Sequence, residues 1–358
     1  METNVARTPT VRSARVKRAK VTVHDVAREA GVSIATVSRA LNAPDSVRKE
    51  LRDRVVQAAT ALNYTIDSVG KALRRQRTQI VATLLPRLDD PMFAILASAI
   101  QETLVENNYV GFVQPSGFDN RTLHDCARNL VEKGAEGLIV FGKIDDPDLV
   151  NFAAAHDIPL VSVYSYYEDM AVPTFGFDNG AATEQLIAML VQLGHERIAM
   201  ISGPVEGNDR QAARVAVYRE AMRRIGSEPV IEFIDMSFEL PDGASALRRI
   251  VSRHPEISAL ICNRDVIAFS VLAEAKKLGI RVPEQLSLTG FDDIDYAALF
   301  DPPLTTIAVP TEEMGRAAAT SLIRHLESGA PLTGMRFETR VILRGSVSRP
   351  KPSLVRLP

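Results

Sequence analysis

Between Ile80 and Gly290 the chain alternates short β-branched runs with amphipathic stretches, and this alternation constrains the fold more than any other feature. The strand candidates are IVATLL (80–85), YVGFV (109–113), GLIVF (137–141), PLVSV (159–163), RIAMIS (197–202), ALIC (259–262) and LSLTG (286–290). Between them a 3.6-residue period predicts helices over 92–106, 122–133, 181–193, 210–225 and 266–278. Such alternation builds parallel sheets with helices packed on both faces. Residues 79–358 are too many for one such sheet, so an α/β body of two lobes is expected. Ligands of these folds bind outside the carboxyl ends of the strands, which points to a cleft between the lobes.

Several function classes are excluded by what is missing. The 358 residues are 46% hydrophobic and 24% charged, an ordinary globular balance. No run of about 18 apolar residues occurs, so no membrane span is expected. No apolar stretch follows the basic N-terminus, so no secretory signal is expected and the chain reads as cytosolic. Cys126 and Cys262 are too few for a disulfide framework or a four-ligand zinc site. Gly137 to Lys143 nearly spells a P-loop, but Ile144 replaces the magnesium-binding hydroxyl and the intervening residues read as a strand. There is no HExxH, GxSxG or CxxC, so no enzyme activity, metal or cofactor is expected.

The net charge of −2 hides an asymmetry. Residues 1–78 hold 16 basic and 7 acidic side chains, whereas 79–358 hold 26 and 37. A basic head suits a polyanion, or simply solubilises the chain. Residues 1–21 read as a disordered basic arm. From Thr22 the pattern splits into two short helices around Gly31. Thr22 is a good N-cap, Asp25 suits the first turn, and Val23, Val26, Ala27 and Ala30 share a face. Ser33 caps the second helix, whose inner face is Val37, Ala40 and Leu41, leaving Ile34, Ala35, Ser38 and Arg39 outside. A third helix over 49–62 carries the stripe Val55, Val56, Ala59 and Leu62. Two short helices joined by a tight glycine turn are a helix-turn-helix signature.

From DVAREAGVSIATVSRALN through Leu62-Asn63-Tyr64, the sequence resembles the lactose/galactose repressor (LacI/GalR) family of bacterial transcription regulators. The segments GLIVFG, FGFDNGAAT, LGHERIAMISGP, RVPEQLSLTGFDDID and DPPLTTI extend the resemblance through the body. It implies that Ile34 and Ala35 open the recognition helix against base edges and that Arg39 reaches a base. Thr36 and Ser38 then contact phosphate, and Thr22, Ser33 and Asn42 complete the DNA-facing set. The chemistry agrees, because arginine can bond guanine bidentately while Ile and Ala pack on thymine methyls. Residues 67–78 resemble the family's hinge helix, which orders in the operator minor groove. Leu73 matches its apolar wedge; a lone leucine is ordinarily core, but Lys71, Arg74, Arg75 and Arg77 surround this one. Gly70 and Ile66 depart from the usual Ala and Pro.

For the body the resemblance implies a periplasmic-binding-protein-like core with lobe crossings near Phe177, Thr306 and Glu338. Effector contacts are expected in the stretch Leu88–Phe93, with Asp89 and Phe93 singled out, and at Asp145, Arg214 and Asp292. Asp89 and Asp145 fit helix N-caps equally well. CNRDVIAF (262–269) departs from the family's Asn-Asp, so either Asn263 takes over the ligand contact or Arg264 faces the cleft. Convergence of two or more of Arg214, Arg264 and Lys143 in an uncompensated pocket would favour an acidic effector such as a sugar acid or phosphosugar; pairing of Arg264 with Asp265 or another surface carboxylate would remove that argument. The expected organisation is an arm (1–21), a helix-turn-helix domain (22–66), a hinge (67–78), an effector and dimerisation domain (79–350) and a tail (351–358) with no leucine heptad. The function this implies is a homodimeric repressor of pseudo-palindromic double-stranded operator DNA, controlled by a sugar or sugar acid. A solute receptor would instead carry a signal peptide and no helix-turn-helix, and an α/β enzyme would need nucleophile or metal spacing.

Overall fold

The computed structural model describes residues 21–64, 77–235 and 241–351. The chain divides into two compact units, Met1–Arg77 and Thr78–Pro358. The basic arm and the hinge candidates Ile66, Gly70 and Leu73 lie outside the described residues.

The first unit contains α1 (Val23–Ala30), α2 (Ile34–Asn42) and α3 (Lys49–Ala61), with a 3-10 turn at Pro44–Ser46. Val26, Ala27, Ala30, Val37, Ala40, Val55, Ala58 and Ala59 form its core, and Leu41 and Leu62 pack against it. The α3 stripe differs from the sequence expectation: Val56 is 47% exposed and Ala58 is buried instead. Val55, Ala58, Ala59 and Leu62 follow the i, i+3, i+4, i+7 rule, which turns Val56 about 100° away.

The second unit has two lobes. In the first, β1 (Ile80–Leu85), β2 (Val110–Pro115), β3 (Gly137–Phe141), β4 (Leu160–Ser165), β5 (Thr174–Phe177) and the late β11 (Met335–Arg336) form a parallel sheet in the order β11-β5-β4-β3-β1-β2. Helices α4 (Pro91–Glu106), α5 (Asn120–Glu132), α6 (Pro147–Ala155) and α11 (Thr311–Ser328) cover it. In the second, β6 (Ile198–Ser202), β7 (Val230–Phe233), β8 (Ala259–Cys262) and β9 (Ser287–Thr289) are parallel in the order β7-β6-β8-β9. Its helices are α7 (Asn179–Gln192), α8 (Asp209–Arg224), α9 (Pro241–Arg253) and α10 (Asp265–Lys277).

The inner strands, such as β1 and β6, are buried on both faces, so their alternate residues serve different cores. In β1, Val81 and Leu85 join a cluster with Leu96, Ile100 and Leu322, whereas Ala82 and Leu84 join Ala127, Leu130 and Leu149. In β6, Ile198 and Met200 meet Val215 and Met222, whereas Ala199 and Ile201 meet Leu247, Ile250 and Leu272. The chain passes between lobes after Phe177, at β10 (Thr306–Ala308), and between β11 and β12 (Arg340–Ile342) around Glu338, where the resemblance put the crossings. Strands β10 and β12 pair antiparallel, Thr306 opposite Ile342. In both sheets the order reverses beside the first strand, β1 or β6, and that is where a crevice opens at the strand ends. Among the described residues no helix is long and apolar enough to cross a membrane.

Candidate effector cleft and DNA-reading helix

Helix α2 is held by caps at both sides of a tight turn. The Thr22 amide and hydroxyl both donate to the Asp25 carboxylate, at 2.9 and 2.7 Å. These bonds, with Arg28 at 2.8 Å, hold the Asp25 carboxyl below its usual range. Gly31 ends α1 at φ +61°, a left-handed conformation glycine adopts without strain. Arg54 of α3 donates to the Ala30 carbonyl at 2.5 Å, tying the turn to the third helix. Ser33 Oγ accepts from the Thr36 amide at 3.2 Å and shares a hydrogen bond with its hydroxyl at 2.9 Å. Ser33, Ile34, Ala35 and Arg39 are exposed, and Thr36 and Ser38 are half-buried. Arg39 Nε donates to the Ala35 carbonyl at 3.3 Å, which lays the guanidinium along the exposed face. Asn42 closes α2, and Leu73 lies outside the described residues.

In the second unit a cavity of about 30 Å³ lies at the switch points of the two sheets. Asp90, Met92 and Phe93 reach it after β1, Phe118 after β2 and Tyr164 from β4. From the other lobe come Asn208, Arg210, Gln211 and Arg214 after β6, Arg264 after β8, and Asp292 after β9. That volume holds a water or two.

Arg214 is 2% exposed and its guanidinium is fully engaged. Nε and Nη2 donate to Asn179 Oδ1 at 2.9 and 2.8 Å, Nη1 to the Asn263 carbonyl at 2.7 Å, and Nη2 also to Tyr164 Oη at 3.4 Å. Its Cζ lies 3.4 Å from the centroid of the Phe291 ring. The Tyr164 hydroxyl donates to Asp292 Oδ1 at 2.6 Å. Burial pushes the Asp292 carboxyl up, although Arg214 and the Tyr164 hydroxyl pull it back. Burial, and then Asp292, push the Tyr164 phenol up as well. Both residues have positive φ, +88° at Tyr164 and +112° at Asp292, a conformation that non-glycine side chains rarely adopt and that gathers at functional sites.

Arg210 pairs with Asp209 at 2.8 Å and stacks 4.5 Å from the centroid of Phe141. Asp209 accepts from the Ser165 and Tyr167 hydroxyls of the first lobe at 2.6 and 2.9 Å. Burial raises the Asp209 carboxyl, but Arg210 and those hydroxyls outweigh it and leave the group below its usual range. Gly142 at the end of β3 has φ +85°, and a Cβ there would overlap the Arg210 guanidinium. The glycine lets the arginine reach the first lobe.

Four of the six carboxylates, arginines and aromatics expected in the cleft line it: Phe93, Arg214, Arg264 and Asp292. Asp89 and Asp145 do not. Asp89 is exposed and paired with Arg87 at 2.7 Å; its neighbour Asp90 turns inward because its Oδ1 caps α4, accepting from the Met92 amide at 2.9 Å. Asp145 is exposed, 3.9 Å from Lys143, and Asp146 caps α6. Asn263 is fully buried behind the lining; its amide donates to Gln211 Oε1 at 2.8 Å and Ser202 Oγ at 3.1 Å. Arg264 is in direct ion-pair contact with Asp90, not with Asp265, and burial lowers its pKa to about 10. Asp265 points inward to the Thr306 hydroxyl at 2.6 Å and the Ile294 amide at 2.9 Å. Arg214 and Arg264 thus converge on the cavity together with Arg210; Arg264 and Arg210 each contact a carboxylate, and Lys143 is not in the lining. Asp90 and Met92 lay in the expected stretch Leu88–Phe93, whereas Phe118, Tyr164, Asn208, Arg210 and Gln211 were not named from the sequence. Their one signal was position, directly after switch-point strands or at a strand end.

Residues 22–67 match the profile described as "Bacterial regulatory proteins, lacI family", and residues 187–347 match "Periplasmic binding protein-like domain". The chain is 31% identical over 337 residues to the HTH-type transcriptional repressor CytR of Escherichia coli strain K12, covering 93% of this chain and 98% of that one. It superimposes with a TM-score of 0.81 on a lac repressor dimer bound to operator and the anti-inducer ONPF, at 23% identity, covering 92% of this chain and 100% of that one. A transcriptional regulator CelR–cellobiose complex gives a TM-score of 0.65 at 26% identity, covering 91% and 99%. The capped helix-turn-helix, the two-lobed α/β body and this near full-length similarity lead to one conclusion: the chain belongs to the LacI family of bacterial regulatory proteins, a transcriptional regulator and not an enzyme.

Proposed function

We propose that the protein is a homodimeric repressor that binds a pseudo-palindromic operator and releases or grips it in response to a neutral sugar. Residues 22–66 read DNA, 67–78 form the hinge, and 79–350 bind effector and dimerise, in the cytoplasm where the DNA is. Arg39 reads a guanine, Ile34 and Ala35 pack on thymine methyls or the groove wall, and Thr22, Ser33, Thr36, Ser38 and Asn42 hold phosphates. Leu73 wedges a base step.

In the cleft Arg214 and Asp292 hold sugar hydroxyls, with Asp90, Arg210, Gln211 and Arg264 around them and Phe93 against the ring. Asp89, Asp145 and Asn263 take supporting places outside the lining. The observation that carries a neutral effector is charge balance: Arg210, Arg214 and Arg264 are matched by Asp90, Asp209 and Asp292. An anion would leave a buried carboxylate facing like charge, whereas hydroxyls can both donate to the carboxylates and accept from the arginines. The cellobiose complex of the CelR regulator supports a sugar. Exposed Tyr296 and Leu299, near the stacked Phe269 and Phe300, give the second unit an apolar face that supports self-association.

Selection from a random duplex library by the full-length protein tests the reading. Enrichment of a two-fold symmetric site supports it, and recovery of unenriched DNA refutes it.

A further inference from the structure

Tyr164 and Asp292 both hold strained backbones, and their side chains meet in the cleft. Tyr164 lies in the last turn of β4 with φ +88°, Asp292 follows β9 with φ +112°, and the phenol donates to Asp292 Oδ1 at 2.6 Å. The neighbouring strand leaves room for this. Gly176 of β5 pairs with Tyr164, and a Cβ there would overlap the Tyr164–Ser165 peptide. The Phe141 and Phe177 rings then pack on the phenol, their centroids 4.8 and 5.1 Å away. A backbone outlier of this kind persists only where its surroundings over-determine it, and such outliers gather at ligand clamps.

The position to which the hydroxyl is brought is chemically specific. It donates to Asp292 Oδ1 and accepts from Arg214 Nη2 at 3.4 Å. A sugar hydroxyl held between a carboxylate and a guanidinium makes the same two bonds. Nη2 carries two N–H groups, and the other donates to Asn179 Oδ1 at 2.8 Å. An incoming hydroxyl can therefore take a donor of Nη2 only by replacing the phenol or Asn179. The phenol is the partner that can leave as the lobes part, because Tyr164 belongs to the first lobe whereas Asn179, Arg214 and Asp292 belong to the second.

On the reading of this cavity as the effector cleft, we propose that the Tyr164 hydroxyl is a resident ligand: it fills a hydroxyl-binding position between Asp292 and Arg214, and an effector hydroxyl must displace it. Tyr164 then sets the concentration at which the regulator responds, since part of what the effector gains only replaces bonds that the protein already makes.

The experiment is calorimetry on full-length wild type, Tyr164→Phe and Ser165→Ala with D-ribose, D-glucose and cellobiose. Phenylalanine keeps the ring against Phe141 and Phe177 and removes only the hydroxyl. A resident ligand predicts sugar binding about 2–10-fold tighter in Tyr164→Phe, the worth of one net hydrogen bond. Binding by both proteins with equal or weaker affinity in Tyr164→Phe overturns the proposal alone, because the phenol is then a bystander or an effector contact. An equal gain in Ser165→Ala, which removes the cross-lobe bond to Asp209 and leaves Asp292 and Arg214 untouched, also overturns it, since loosening of the lobes would then suffice. Binding of no sugar by any of the three proteins overturns the neutral-sugar reading, and the proposal with it.

Discussion

Arg39 is the one long multidonor side chain in α2, and its guanidinium already lies along the exposed face. Its replacement leaves the Ser33 cap of the helix intact, so any loss of binding reports on the side chain itself. Arg39→Ala is expected to cost about 1–3 kcal/mol on the selected operator and much less on random duplex. Fluorescence anisotropy on both DNAs checks this, and equal losses would reduce Arg39 to a phosphate contact. In the cleft, Asp292 makes a pH prediction. Its carboxyl is raised chiefly by burial, so the folded state binds its proton more tightly than the unfolded chain. Its contribution is then full below the ordinary Asp pKa of about 3.9 and is lost as pH rises through the folded value. Wild type should gain stability relative to Asp292→Asn as pH falls from neutral toward 4, measured by urea unfolding at several pH values. A gap that is flat, or that widens with rising pH, contradicts it. Residue by residue, the sequence showed some of the stretches that meet at the cleft, around Phe93, Arg214, Arg264 and Asp292, but not those of Phe118 and Tyr164, nor which way each side chain turns. Asp89 and Asp90 are chemically identical neighbours, and it is the cap on Met92 and the contact with Arg264 that distinguish the inward-facing Asp90.

At the scale of elements, the three-helix unit depends on two turn residues. Ser33→Ala removes the acceptor of the Thr36 amide and should cost about 0.5–2 kcal/mol of the unit's stability. Gly31→Ala places a Cβ at φ +61°, 3.2 Å from the Arg54 guanidinium, and should cost about 1–2 kcal/mol. Thermal melts followed by circular dichroism check both, and an unchanged midpoint would mean that packing alone sets the turn. The strands rich in Val, Ile and Leu were legible to within about two residues, because β1, β3 and β8 are apolar on both faces. The strands that escaped are of another kind. Thr174–Phe177 is interrupted by Gly176, Val230–Phe233 lies at a sheet edge with Glu232 paired to Arg249, and β10 to β12 are two or three residues long. Their pairing is dictated by the rest of the sheet, which no local pattern records. The long α11, whose buried face runs through Met314, Gly315, Ala318, Ala319, Leu322 and Ile323, was not among the helices expected from the sequence.

For the whole molecule, dimerisation and effector control are the claims that tie reading head to cleft. Leu299 is 76% exposed on the apolar face, and Leu299→Glu should weaken self-association tenfold or more, since burying one leucine is worth about 1.5–3 kcal/mol. Sedimentation across a concentration series checks this, and an unchanged dimer would move the interface elsewhere. Control by a ligand requires only that effector and operator prefer different lobe arrangements, and the coupling between them is then reciprocal. The most direct measurement is operator affinity at increasing concentrations of the sugar that most raises the protein's melting temperature. The account predicts a saturable shift of about 5–150-fold in operator affinity, with the same factor appearing in sugar affinity when operator is present. A sugar that saturates the cleft while leaving operator affinity unchanged would contradict it.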